Sequence, residues 1–156
     1  MNEVELQVVC EAADLPGVDL LGVWVAAALQ PENAGRGLVV RIVSSEEMRA
    51  LNRRFRGVDK PTNVLSFPWE PPPGASSRDQ ALGDLVLCAP VVEEEARLQT
   101  KSLLAHYAHM VIHGTLHLQG YDHQNADQAE LMETLETQIL GSLGFSDPYH
   151  VSCTNP

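Results

Sequence analysis

The sequence predicts an α+β or mixed α/β protein, with about four strands in a mixed sheet covered by about five helices. Three observations lead there. The chain has 156 residues, 44% of them hydrophobic, enough to bury a core without staples. Short alternating or β-branched runs interleave with longer segments of helical character. No repeat and no long linker divides the sequence, so residues 1–156 are expected to form one domain, with an irregular tail after about residue 149.

Val4, Leu6 and Val8 alternate with polar residues and predict the first strand. Residues 18–29 are apolar and Ala-rich, a helix stopped by Pro31. Gly35 and Gly37 make a turn into a β-branched strand at 38–43. Ser44 and Glu47 have capping-box spacing, so a helix should follow over about 45–54 and break at Gly57. Val64, Leu65, Ser66 and Phe67 predict a third strand, and residues 83–88 a fourth. The Pro-, Gly- and Ser-rich stretch 70–80 between them predicts a loop. Pro90 suits the start of a helix over 91–98. A longer helix should run over about 102–118 and stop at Gly120. Asn125 and Gln128 predict the cap of a last helix over 126–143.

Three scattered cysteines, Cys10, Cys88 and Cys153, form no Cys-x-x-Cys pair and fit a reducing compartment. The polar, acidic start is unlike a secretory signal, and the longest apolar run, 23–29, is far too short to span a bilayer. A cytoplasmic protein without a membrane partner is the expectation. The net charge is −11, but seven of the ten Lys and Arg residues lie between Arg36 and Lys60. With Glu46, Glu47 and Asp59 that segment carries +4, and the rest of the chain −15. Such a patch can steer a polyanion to one face. Charge alone equally allows a solvated helix face.

Four histidines, His106, His109, His113 and His117, lie on one face of the long predicted helix, and His123 follows the Gly120 turn. His113 and His117 at i and i+4 can reach one metal ion. The turn lets His123 supply a third nitrogen. Three neutral imidazoles with an open position are the ligand set of a catalytic zinc. The register His113, His117, Gly120, His123 matches the extended zinc-protease motif, but Gly114 stands where the protease has its glutamate base. A zincin-like site, one Zn2+ per chain, without the protease base is expected. His106 and His109 are expected to pack, with a supporting hydrogen bond to a ligand or a place facing substrate left open for both. Asp122 either orients a ligand imidazole or caps the turn.

The segment His113-Gly-Thr-Leu-His-Leu-Gln-Gly-Tyr-Asp-His123 resembles the signature of the YbeY family of bacterial ribosomal-RNA maturation endoribonucleases. Further matches are Leu51-Asn52, Phe55-Arg56-Gly57, Pro61-Thr-Asn-Val-Leu-Ser-Phe-Pro68, Leu82-Gly83-Asp84 and the stretch from Met132 to Glu136. The resemblance extends over about 40–149. Many family members have Asp where Asn63 lies, so no charge is required there. The resemblance implies zinc held by His113, His117 and His123, cleavage of single-stranded RNA, 3′-end maturation of 16S ribosomal RNA, and ribosome quality control. It also implies association with the small ribosomal subunit and its assembly factors, with no DNA substrate. Arg56 maps to an arginine important in the family, and it lies in the basic segment, where a guanidinium can hold phosphate bidentately.

Whether zinc activates water or polarises the phosphoryl group for attack by the RNA 2′-OH stays open at this level. Thr62, Asn63 and Ser66 are candidate RNA contacts, or else turn and strand-end residues, the role favoured slightly. Trp24, Trp69 and Tyr107 are candidate stacking residues, with Trp24 expected in the core. Glu93, Glu94 and Glu95 are expected to form an exposed first helical turn. Two other functions compete: a non-catalytic, zinc-stabilised ribosome assembly factor and, weakened by Gly114, a metalloprotease-like hydrolase.

Overall fold

A computed structural model describes residues 4–70, 73–74 and 81–149. Most of the expected loop at 70–80, Cys153 and the tail after residue 149 lie outside the described residues. Four strands form one mixed sheet: β1 (Val4–Val8), β2 (Leu38–Val43), β3 (Val64–Pro68) and β4 (Gly83–Cys88), in the order β1-β2-β4-β3. β1, β2 and β4 run parallel, and β3 is an antiparallel edge strand on β4, with Ser66 opposite Leu85. Five helices cover it: α1 (Val18–Ala28), α2 (Ser45–Arg56), α3 (Ala89–Leu98), α4 (Leu103–Leu118) and α5 (Ala126–Ser142). The fold is α+β, as the sequence predicts. No helix among the described residues is long and apolar enough to cross a membrane.

Local chemistry sets the helix ends. The Ser44 hydroxyl accepts the Glu47 N–H at 3.3 Å, Ser102 accepts from Ala105 and Asn125 from Gln128. The capping box at Ser44 is only half formed, because the Glu47 carboxylate pairs instead with Arg41 on β2 at 2.8 Å. α2 runs to Arg56, two residues beyond the expected end, and stops at Gly57, whose φ of +73° is left-handed. The 3-10 turn Pro31–Asn33 has no counterpart in the sequence expectations.

The sheet alternates between two layers. Leu38, Val40 and Ile42 of β2 and Leu85 and Leu87 of β4 join α1, α4 and α5 in the larger core. Val43, Leu65, Val86 and Cys88 face the other way and pack on Met48 and Leu51 of α2. Trp24 is buried in the larger core, as expected, and meets Phe145 edge-on. Tyr107 is fully buried, so it presents no face for stacking, and Trp69 is only half-buried.

α4 is the central helix, and its approach to the sheet depends on Gly114. A Cβ there would lie 2.7 Å from Leu85 Cδ2, 3.2 Å from Ser66 Oγ and 3.3 Å from Val64 Cγ2. At its C-terminal end, Gln119 accepts the Gln30 N–H at 2.7 Å and donates to Ala28 O at 2.8 Å, tying α4 to the end of α1.

Candidate metal centre

The helical register of α4 and the turn after it bring three imidazoles together. His113 and His117 project from successive turns of one face. After Leu118 the chain reverses: Gly120 N–H donates to His117 O, and Tyr121 N–H to Leu116 O. Gly120 takes φ +100°, a conformation that favours glycine. The reversal returns His123 toward the helix. One ring nitrogen each from His113, His117 and His123 lies within 4.8 Å of the others. The ring centroids are 4.6 Å apart for His113–His117, 5.1 Å for His117–His123 and 5.7 Å for His113–His123. Ring nitrogens that close together could hold one divalent ion. His113 and His117 are half-buried and His123 is exposed, so the cluster opens to solvent on one side.

Electrostatics favour a neutral ring at His117. Burial lowers the His117 pKa, and repulsion from His113 and His123 lowers it further. His113 Nδ1 donates to Glu136 Oε2 at 2.7 Å. That bond sets the tautomer and leaves Nε2 of His113 as the lone-pair atom for a metal. The other oxygen, Oε1, accepts from His109 Nε2 at 2.6 Å and from the Tyr149 hydroxyl. Glu136 is fully buried on α5. Burial alone pushes its carboxyl up, but the hydrogen bonds from His109 and His113 outweigh that and bring it down to about 2. It is an ionised carboxylate holding one candidate ligand from behind.

Glu136 is the residue that sequence reasoning missed. It lies inside the Met132 to Glu136 match, but nothing in its own helix distinguishes it from Glu130 or Glu133. The other expected site residues divide as follows. His109 is buried, meets the His113 ring edge-on and shares the Glu136 carboxylate with it. Asp122 caps the turn: Oδ1 accepts the His123 N–H at 2.7 Å and lies 3.8 Å from His123 Nδ1, too far for a hydrogen bond. Ser66 Oγ donates to Gly114 O at 3.1 Å, fastening β3 to α4. Asn63 donates to both Glu95 oxygens at 3.1 and 3.3 Å, while its own oxygen accepts the Val64 N–H. The side chains proposed for substrate at Asn63 and Ser66 are thus engaged inside the protein.

The exposed first turn expected of Glu93, Glu94 and Glu95 does not form: none of the three lies in the first turn of α3, and only Glu94 is exposed. α3 begins at Ala89, which places Glu95 in its second half, half-buried, where it accepts from His106 Nε2 at 2.8 Å. A cavity of about 950 Å³ lies alongside, lined by Asn63, Glu95, Lys101, His106, His109 and Tyr149 among others; the three clustered histidines are not part of its wall. Lys101 Nζ is sealed from solvent there without a hydrogen-bond partner among the described residues, and burial lowers its pKa.

Arg56 ends α2 on the opposite face of the sheet from α4, exposed. No hydrogen bond or ion pair joins it to the three histidines among the described residues. Gly114, next to His113, faces the sheet at van der Waals distance, so a glutamate base of the protease kind has no room at that position.

A solved structure shares this architecture. The solution structure of TM1509 from Thermotoga maritima superposes with a TM-score of 0.58 at 26% identity, covering 95% of this chain and 99% of that one. The family described as endoribonuclease YbeY matches residues 20–144, a span that holds all three histidines, Glu136 and Arg56. With most of its length matched and the three-imidazole cluster in place, the chain belongs to the YbeY endoribonuclease family.

Proposed function

We propose that this protein is a zinc-dependent, single-strand-specific endoribonuclease acting in 3′-end maturation of 16S ribosomal RNA and in ribosome quality control. The observation that carries the reading is the open cluster of His113, His117 and His123 in a chain of this family. The donor set is three imidazoles with no fourth protein ligand in the cluster among the described residues, which suits a catalytic ion better than a structural one. When bound, zinc would supply Lewis acidity for phosphodiester cleavage.

The chain's own residues do the rest. Glu136 holds His113 in the metal-binding tautomer, and His109 and Tyr149 hold Glu136. Arg56 would bind a phosphate of the RNA and stabilise charge that builds there. Asn63 and Ser66 shape the β3–α4 contact, and any bond to RNA would have to replace the internal ones. The partners are single-stranded ribosomal RNA, the small subunit and its assembly factors, and the setting is the cytoplasm.

Cleavage of a single-stranded ribosomal-RNA precursor by the purified, zinc-loaded protein tests the reading, with folded His117→Ala as the control for contaminating nuclease. Cleavage by the parent and not the variant is expected. Arg56→Ala should lose cleavage at unchanged zinc content. No cleavage by either protein, with RNA or subunit binding intact, would replace the enzyme with an assembly factor.

A further inference from the structure

The basic segment folds into a feature that charge alone does not describe. Arg53, Arg54 and Arg56 all fall in the last turn of α2 and are exposed, with Lys60 just beyond Gly57. In their midst Phe55 is 55% exposed. Its ring is not loose: Phe67 of β3 meets it edge-on with centroids 5.1 Å apart, and the Arg54 guanidinium lies 5.2 Å from its centre. Cations at a helix C-terminus satisfy the helix dipole. That role does not call for a half-exposed phenyl ring held among them. A rigid aromatic face bordered by arginines is the means by which proteins bind single-stranded nucleic acid without reading its sequence.

The position of β3 connects this face to the histidines. β3 is an edge strand, with no strand paired to its outer side among the described residues. Val64 and Ser66 face α4 at Gly114, the residue after His113. Leu65 and Phe67 face α2. The aromatic face and the metal centre therefore stand on the two sides of a single edge strand. Within the basic segment Arg41 and Arg49 are paired with Glu47 and Asp59, while Arg53, Arg54, Arg56 and Lys60 stand exposed around Phe55, so a polyanion is attracted to this end of α2 although the whole chain carries −11.

We propose that Phe55 is a base-stacking platform for single-stranded RNA that rounds the free edge of β3, with Arg53, Arg54 and Lys60 holding the phosphates on either side of the stacked base. The proposal rests on the endoribonuclease reading and adds to it a binding subsite away from the metal.

A short single-stranded RNA carrying 2-aminopurine, mixed with zinc-loaded full-length protein in stopped flow, tests it. Stacking on Phe55 should quench the fluorescence. Phe55→Leu keeps the apolar contact with Phe67 but has no π face. It should abolish the quench and weaken binding roughly 5- to 100-fold, while Phe55→Trp restores both. Phe55→Leu binding and quenching like the parent, with the parent still cleaving RNA, would overturn the platform and leave the enzyme reading intact. A parent that neither binds nor cleaves single-stranded RNA would overturn both.

Discussion

Replacing Glu136 by Gln keeps the shape of a fully buried side chain and removes its charge. The carboxylate accepts from His113, His109 and Tyr149 at once. A glutamine offers one acceptor oxygen and an amide that donates, so at least one of those donors faces another donor. Glutamine is also close to isosteric with the protonated acid. The cost of protonating Glu136 in the folded state therefore indicates the cost of the substitution. A carboxyl brought from 4.5 to about 2 corresponds to about 3 kcal/mol. In a chain of this size that lowers Tm by about 10 °C. If the amide displaces the His113 Nδ1 bond, zinc affinity should fall about 10- to 100-fold. Competition with a calibrated chelator gives the affinity, and calorimetry gives Tm. Zinc affinity within threefold of the parent at an unchanged Tm would refute the role given to Glu136.

Acid should expose the same residue. Its folded pKa is depressed, so its stabilisation is present above 4.5 and is lost as pH falls toward 2. Metal-free protein should lose about 3 kcal/mol over that window, and Glu136→Gln should be much flatter there, which urea titrations at stepped pH will show. Gly83→Ala should cost about 3 kcal/mol or more, because a Cβ at φ +153° would lie 2.4 Å from the Phe67 carbonyl oxygen, a backbone atom held in the β3–β4 pairing. Unfolding by urea measures it, and a loss under about 1 kcal/mol would show that β3 yields easily. Lys101→Met should stabilise the protein by about 1 kcal/mol, since it removes a buried ammonium that has no hydrogen-bond partner among the described residues. A lower Tm for that variant would mean that Lys101 Nζ has a partner in solution.

By itself the sequence determined what depends on near neighbours in the chain. Two helix starts followed from Ser44 and Asn125, because a cap is a contact between residues three apart. The histidine cluster was legible for the same reason: helical period places His113 over His117, and Gly120 turns the chain back within three residues of His123. Strand order, the antiparallel edge position of β3 and the assignment of α2 and α4 to opposite faces were decided only when distant segments packed. So were the side-chain partnerships. Glu136 lies 23 residues from His113, and no local pattern marks it as the acceptor for that ring. Glu95, Asn63 and Ser66 looked like solvent or substrate groups until α3, α4 and β3 closed around them and supplied their partners. A side chain's own type limits what it can bond. Which bond it makes depends on what the fold places within about 3 Å of it, and most of those groups come from far along the chain.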